Sequence, residues 1–385
     1  MDDYNIKKTC IKTDMNVLQL CNYYCGSKVH AELFRELDSQ DVRQTVYVAL
    51  RDSGRVGINS FEGNNTSFVY APILKLWHRY LYHAKSAAVK NDICNKVLFD
   101  EISLCHASTL FTDGIQAYNI YKERNIPYIV TVRGTDIKEF LSKAPHTWLA
   151  GKKVLLNASA IIFLSPAMRD RFCCHKFIRT FLQDIEHKFI TLRNGINDFW
   201  IDHIRRDTAP KGHHVLFVGR FLKCKNLPML IKAVIELQGK YPDIELNIVG
   251  GGGDDESIVK RYAQTESCIN YYGMITDKTS LLRHYQSNNL FAMPSVNETF
   301  GLVYLEALSQ NLPVIYTHGT GIDGVISNNC GEGLKEPSID NIKNAIAKVF
   351  EAPANYTNGQ IDFEYFRWRN IAKEYVNLYH KIVNL

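Results

Sequence analysis

Between Pro294 and Glu306 the chain reads Pro-Ser-Val-Asn-Glu-Thr-Phe-Gly-Leu-Val-Tyr-Leu-Glu, and this stretch holds the residue types most able to do chemistry. Glu298 is expected in a loop after a strand, and Gly301 to open a helix that runs to about Gln310. The amides of Gly301, Leu302 and Val303 would then lack partners inside that helix, and a helix start of this kind attracts phosphate oxygens. Glu306, inside the helix, can accept from vicinal hydroxyls such as those of a ribose. Glu298 can orient a sugar or stabilise developing positive charge. A second cluster, Val218-Gly219-Arg220-Phe221-Leu222-Lys223-Cys224-Lys225-Asn226, follows a strand in the same half of the chain. Arg220 and Lys225 are two fixed cations in one strand-to-helix loop, able to neutralise a diphosphate leaving group.

Residues of this kind need a frame, and the hydrophobic pattern supplies one. Apolar strand-like runs cover 16–20, 45–50, 126–132, 158–164 and 188–192, with helical spacing over 29–37 and 114–123. After the polar stretch 196–212, which reads as an interdomain linker, a second alternating series begins. Its strands are expected at 214–219, 244–250, 271–273, 290–294 and 313–316, with a helix at 227–237 and a last one at 363–383. Alternating strands and helices build parallel sheets, so the fold class is α/β, two doubly wound Rossmann-like domains. Ligands of such sheets sit outside the carboxyl ends of the strands. Two facing domains would therefore share a central cleft.

Composition narrows the function classes. With 385 residues, 46% hydrophobic and 22% charged, the chain is neither disordered, fibrous nor a polytopic membrane protein. Its net charge of +5 is too mild to argue for nucleic acid. Residues 1–200 hold 26 Lys+Arg against 20 Asp+Glu, and the remainder 19 against 20, so the excess charge lies in the first half. The ten cysteines form no CxxC pair and no zinc-like cluster, which suits a reduced, cytoplasmic protein. Met1 to Thr13 has no apolar core of the signal-peptide kind, and no run of 18 apolar residues occurs. No Asp-x-Asp motif is evident; Asp254-Asp255-Glu256 lies in a glycine-rich loop and is expected to be solvated. In residues 72–90, Ile73, Leu74, Leu76, Trp77, Tyr80 and Leu81 interleave with Lys75, His78, Arg79, His83 and Lys85. Such a segment reads either as a helix packed on its own domain or as a basic amphipathic helix lying on an anionic bilayer.

Taken in order, Gly219-Arg220 with Lys225-Asn226, Ile248-Val249-Gly250 with its glycine run, Gly273, Pro294-Ser295, the Glu298/Glu306 pair and Pro313-Val314-Ile315 resemble the retaining GT-B glycosyltransferases of glycosyltransferase family four. The resemblance covers residues 215–326 and is specific in both residue type and order. It implies a GT-B fold: an acceptor-side domain at 1–197, a nucleotide-sugar domain at 213–360, and a segment at 361–385 that returns to the first domain as a helix. It implies that Arg220 and Lys225 bind the donor diphosphate, that Glu306 holds the ribose and that Glu298 contacts the donor sugar. The Phe300, Gly301, Leu302 and Val303 amides would cap the phosphates or sugar. Met274 and Ile275 would line the base pocket, and Gly319 and Gly321 would let a loop approach the sugar. In the first half Gly26-Ser27-Lys28 matches the family's glycine loop. His106-Ala107-Ser108 stands where many members have His-x-His, and Thr131-Val132-Arg133-Gly134 where many have Thr-x-His-Gly. Arg133 cannot serve as a general base, since it stays protonated, but it can stabilise negative charge. A subgroup in cell-surface polysaccharide synthesis is similar in carrying arginine there.

The resemblance thus implies a metal-independent hexosyltransferase, with Glu298, Arg220, Lys225, Arg133 and His106 as catalytic candidates. No cofactor is expected beyond the nucleotide-sugar co-substrate. The expected partners are that donor and a lipid-linked or polysaccharide acceptor in lipopolysaccharide, capsule or exopolysaccharide synthesis, with peripheral contact at the cytoplasmic face of the inner membrane. Two other classes share these features: an NDP-sugar epimerase of the same fold, and an inactive nucleotide-sugar-binding subunit of a glycan-assembly complex.

Overall fold

The computed structural model describes residues 15–205, 211–296, 298–357 and 360–384. Thirteen strands form two sheets among these residues. The first sheet comprises β1 (Asn16–Leu20), β2 (Arg43–Ala49), β3 (Thr66–Ala71), β4 (Leu104–Ala107), β5 (Tyr128–Val132), β6 (Ala160–Phe163) and β7 (Phe189–Thr191), in the order β3-β2-β1-β4-β5-β6-β7. The second comprises β8 (His213–Gly219), β9 (Ile244–Gly250), β10 (Ile269–Tyr271), β11 (Leu290–Ala292), β12 (Val314–Thr317) and β13 (Gly331–Leu334), in the order β10-β9-β8-β11-β12-β13. Parallel pairing joins β1 to β2 and β4, and β8 to β9 and β11. Both sheets are thus doubly wound α/β layers of Rossmann type, as the alternation of segments predicts. Strands buried on both faces need near-continuous apolar runs, and Val215 to Phe217, Leu290 to Ala292 and Ile161 to Phe163 are all 0% exposed.

In each sheet the winding reverses at a pair of neighbouring strands, β1/β4 in the first and β8/β11 in the second. The chain also separates into two compact units, Met1–Thr131 with Leu149–Ile161 and Ala372–Leu385, and Val132–Trp148 with Ile162–Ile371.

Several segments differ from their sequence reading. Residues 196–205 are not a bare linker. Asp198–Asp202 is a short helix whose Trp200 and Ile201 are buried. Arg367 ties it down, bonding Asp202 at 2.7 Å and Asp198 at 3.4 Å. Two of the polar residues that suggested a linker, Asp198 and Asp202, are ion-pair partners of that arginine; residues 206–210 lie outside the described residues, as do Met1 to Asp14. The expected helix over 72–90 is interrupted. Leu76–Arg79 is a 3-10 turn and the α-helix begins at Tyr82. The cause is local: the Lys75 amide donates to Nδ1 of the buried His78 (2.9 Å), which closes a tight turn instead of an α-helical one. Asp255 is not solvated but 6% exposed, and burial, with Asp254 alongside, raises its pKa. The final helix starts at Trp368 behind a 3-10 turn at Phe363–Phe366, and its Trp368, Ile371, Tyr375 and Tyr379 are buried.

Candidate functional site

The winding reversal in the second sheet puts two loops side by side, one leaving β8 at Gly219 and one leaving β11 at Ala292. Backbone and side-chain hydrogen bonds stitch them together. The Val296 amide donates to the Cys224 carbonyl (2.8 Å), and Asn226 Nδ2 donates to the Pro294 carbonyl (2.7 Å). The first loop is held in turn by the glycine run after β9: the Phe221 amide donates to the Gly252 carbonyl at 2.8 Å.

This stitching brings Lys225 to Glu298. Lys225 Nζ donates to Glu298 Oε2 and also lies 3.3 Å from Met293 Sδ. The side chains of the pair are 15% and 19% exposed, so the charges are partly desolvated yet still reachable from solvent. Ser295 Oγ adds a contact to the same carboxylate oxygen at 3.4 Å. Two glycines clamp Glu298 from either side. Gly301 has φ +79°, and a Cβ there would meet the Tyr304 ring at 2.6 Å and Glu298 Cγ at 3.1 Å. Gly321 has φ +53°, and a Cβ there would meet Glu298 Cγ at 3.0 Å, while its amide donates to the Glu298 carbonyl at 3.0 Å. Any side chain at these two positions would strain the backbone and displace the glutamate.

The helix expected after Gly301 is Leu302–Ser309, with Gly301 as a left-handed cap. The amides of Gly301, Leu302 and Val303 have no backbone acceptor among the described residues. They begin where Glu298 and Lys225 meet, so positive backbone dipoles and an ammonium group converge on one place. Phe300 anchors this start, 2% exposed.

Glu306, inside the helix, occupies a different environment from Glu298 in the loop before it. Its Oε2 accepts from the hydroxyl of Tyr285, itself 0% exposed, at 3.0 Å. Burial raises the Glu306 carboxyl to about 7, against smaller downward pulls from the Tyr285 hydrogen bond and the Lys278 charge. The loop leaving β11 and the helix it leads into therefore carry two carboxylates held differently: Glu298, in the loop, beside a lysine, and Glu306, in the helix, desolvated and able to keep a proton near neutrality. Ser295 lay within the motif, but nothing local marks Tyr285, which reaches Glu306 from the helix Lys278–Gln286.

The remaining candidates fall elsewhere. Arg220 stands exposed at the end of β8; its guanidinium has no hydrogen bond or ion pair among the described residues, and it does not touch Glu298. Met274 is 69% exposed and Ile275 half-buried, just beyond β10. Gly26 is exposed in the turn Tyr24–Gly26 after β1. The half-buried Arg133 follows β5, and its amide donates to Oδ2 of the buried Asp136 at 2.8 Å. His106 is 2% exposed in the core of the first unit. Its Nδ1 is hydrogen-bonded to the Tyr379 hydroxyl (2.8 Å) and its Nε2 to Thr131 Oγ1 (3.1 Å), and its ring stacks with Tyr375 at 5.5 Å. Neither ring nitrogen can meet a substrate without losing one of these bonds. Among the described residues no group of three His, Cys, Asp or Glu side chains is placed to hold a metal ion.

Residues 198–360 match the family of glycosyl transferases group 1. An uncharacterized glycosyltransferase of Methanocaldococcus jannaschii is 24% identical over 308 residues, 73% of this chain and 75% of that protein. Other curated relatives are matched over less than half of their own length. Among solved structures, sucrose-phosphate synthase from Thermosynechococcus elongatus superposes with a TM-score of 0.74 at 18% identity, covering 96% of this chain and 99% of that one. The apo lipopolysaccharide outer core galactosyltransferase WaaB gives 0.69 at 15% identity, covering 95% and 100%. At such identities the superpositions speak for a shared GT-B fold.

Proposed function

We propose that this chain is a glycosyltransferase of the group 1, GT-B type, in line with the family match over residues 198–360, and that it moves a hexosyl residue from a nucleoside-diphosphate sugar to a lipid-linked or polysaccharide acceptor in surface-glycan synthesis, with retention at the anomeric carbon. The observation that carries this reading is the meeting of Lys225, Glu298 and the helix-start amides at Gly301 to Val303, at the winding reversal of the second sheet. A diphosphate seated there would face the Lys225 ammonium and the amides, with Arg220 free to swing onto it. Its ribose hydroxyls would donate to Glu306, and Glu298 would hold the sugar. The bond between the anomeric carbon and the leaving phosphate oxygen breaks as the acceptor oxygen bonds to the same face of that carbon. The departing phosphate oxygen, its charge stabilised by Lys225 and the amides, takes the acceptor hydroxyl proton. Arg133 adds positive charge from the other half of the chain. No resident cofactor is needed for these steps.

A membrane-bound acceptor fits one further feature. Leu76, Trp77, Tyr80 and Leu81 are 71%, 45%, 84% and 55% exposed, beside the exposed Lys75 and Arg79. This face would rest on an anionic bilayer. Trp77→Ala is expected to reduce sedimentation with anionic vesicles while leaving turnover on a water-soluble acceptor unchanged.

The experiment that tests the main reading is a screen of nucleotide-sugars by melting temperature, followed by nucleoside-diphosphate release in the presence of glycan acceptors. One donor should raise the melting temperature through mass action and release its nucleotide only with acceptor. If no nucleotide-sugar shifts melting, the reading is wrong.

A further inference from the structure

A cavity of about 550 Å³ opens within the second compact unit. One wall is the face Ala167, Asp170, Arg171 and Cys174 of the helix Pro166–Cys173 and its cap, spaced to fall on one side. That helix is fixed at its start by Ser165, whose Oγ accepts from the Met168 amide at 3.2 Å. The opposite wall runs from the end of β12 at Thr317 through Gly319 and Thr320 to Lys335. The cavity borders the Glu298 loop: Val296 lines it, and Thr320 Oγ1 donates to the Ser295 carbonyl at 3.4 Å.

Two groups in these walls are unexplained by the fold. The half-buried Arg171 guanidinium makes no hydrogen bond or ion pair among the described residues. Burial lowers its pKa, and no carboxylate acts to raise it again. Thr317 is 4% exposed, and its Oγ1 has no hydrogen-bond partner among the described residues. The acids around the cavity do not answer for Arg171. Asp170 pairs with Arg169, Asp323 accepts from the Gly319 amide and contacts His318, and Glu336 is exposed at the rim. A desolvated guanidinium without a counter-charge is costly unless a ligand supplies one.

We propose that this cavity receives an anionic group of the acceptor, a phosphate or a carboxylate, held by the Arg171 guanidinium with the Lys335 ammonium and the Thr317 hydroxyl as further partners. The inference rests on the glycosyltransferase reading of the adjoining loop and adds a substrate class to it: an acidic glycan or phosphorylated acceptor, recognised one loop away from Glu298. Arg171 is a binding residue in this account and takes no part in bond making.

The test uses the full chain saturated with whichever of UDP, GDP or ADP it binds, so that the diphosphate position is filled. Inorganic phosphate, methyl glucuronide and the neutral methyl glucoside are then titrated calorimetrically. At least one anion should bind and the neutral sugar should not. Phosphate alone indicates a phosphorylated acceptor, and glucuronide alone a carboxylate. Arg171→Met should weaken that binding by about tenfold or more, the size expected for a charge-assisted bidentate contact. Lys335→Ala, an exposed change that leaves packing intact, should weaken it by a smaller factor. Binding of neither anion, or equal binding by wild type and both variants, overturns the proposal. If no nucleotide binds, the reading of the diphosphate position fails. The same titration in the Lys225→Ala background, without nucleotide, then still decides whether Arg171 holds an anion.

Discussion

Two polar clusters, one in each compact unit, show what separates a structural network from a binding site. In the first unit a row of polar side chains crosses β2, β1, β4 and β5. Gln44 Nε2 donates to the Phe34 carbonyl (2.5 Å), Gln19 Nε2 donates to Gln44 Oε1 (3.2 Å) and the Tyr379 hydroxyl (3.4 Å), and His106 bridges Tyr379 and Thr131. Gln19 and His106 are register partners on adjacent strands, so the row follows from the pairing itself. Every member is buried and, apart from Gln19 Oε1, its groups are partnered within the protein. In the second unit, Lys225, Glu298 and the Gly301 helix start stand at strand ends, with amides and the Arg220 guanidinium left over. A closed network stabilises the fold because its groups have already exchanged water for one another. An open one leaves charge to be met by something that arrives.

The contrast can be broken or sharpened by substitution. The largest effect is expected at Lys225. Lys225→Ala should cut turnover by roughly 10²-fold or more, the scale for losing one stabiliser of leaving-group charge. A single-turnover assay checks this, and retained turnover would place the chemistry elsewhere. Next comes Glu306, whose replacement by alanine should weaken nucleotide binding by about 1–3 kcal/mol, read by calorimetry. Its protonation gives a sharper signature. The folded carboxyl titrates at about 7 against an ordinary value of 4.5. Between these pH values the folded state holds the extra proton, so stability of the nucleotide-free protein falls as pH rises through that window. Nucleotide affinity should rise over the same range as the carboxylate forms to accept the ribose hydroxyls. Glu306→Gln should flatten both profiles. For the closed cluster the effect should appear in stability instead. His106→Ala removes one partner of the Tyr379 hydroxyl and that of the Thr131 hydroxyl, and should cost about 1–3 kcal/mol in denaturant unfolding. Donor affinity should be retained in the folded fraction. Collapse of turnover in a variant that stays fully folded would instead support the catalytic role that the resemblance implies for His106.

The different legibility of the two clusters in sequence has a physical cause. The Pro294 to Glu306 segment could be read because a helix start, a capping glycine and the acids around it are neighbours along the chain. The hydrophobic runs of β8, β9 and the helix Leu227–Leu237 were legible for the same reason, since burial on both faces leaves a continuous apolar record. The partner of Glu306 was not legible, because Tyr285 meets it from another helix. Nor was the satisfaction of His106, which depends on Tyr379, 273 residues away. Within the stretch 196–212, expected as a linker, the short helix Asp198–Asp202 was not legible because Asp198 and Asp202 answer Arg367, itself remote in sequence. Residue type announces what a side chain can do, but tertiary contact decides whether it is already occupied.

The most direct test is to titrate a nucleoside diphosphate and the matching monophosphate into wild type, Arg220→Ala and Lys225→Ala. If cations and helix-start amides grip a diphosphate, wild type should bind the diphosphate about tenfold or more tightly than the monophosphate, and each variant should lose most of that preference. Equal affinity for the two nucleotides in wild type, or an undiminished preference in both variants, would contradict the account.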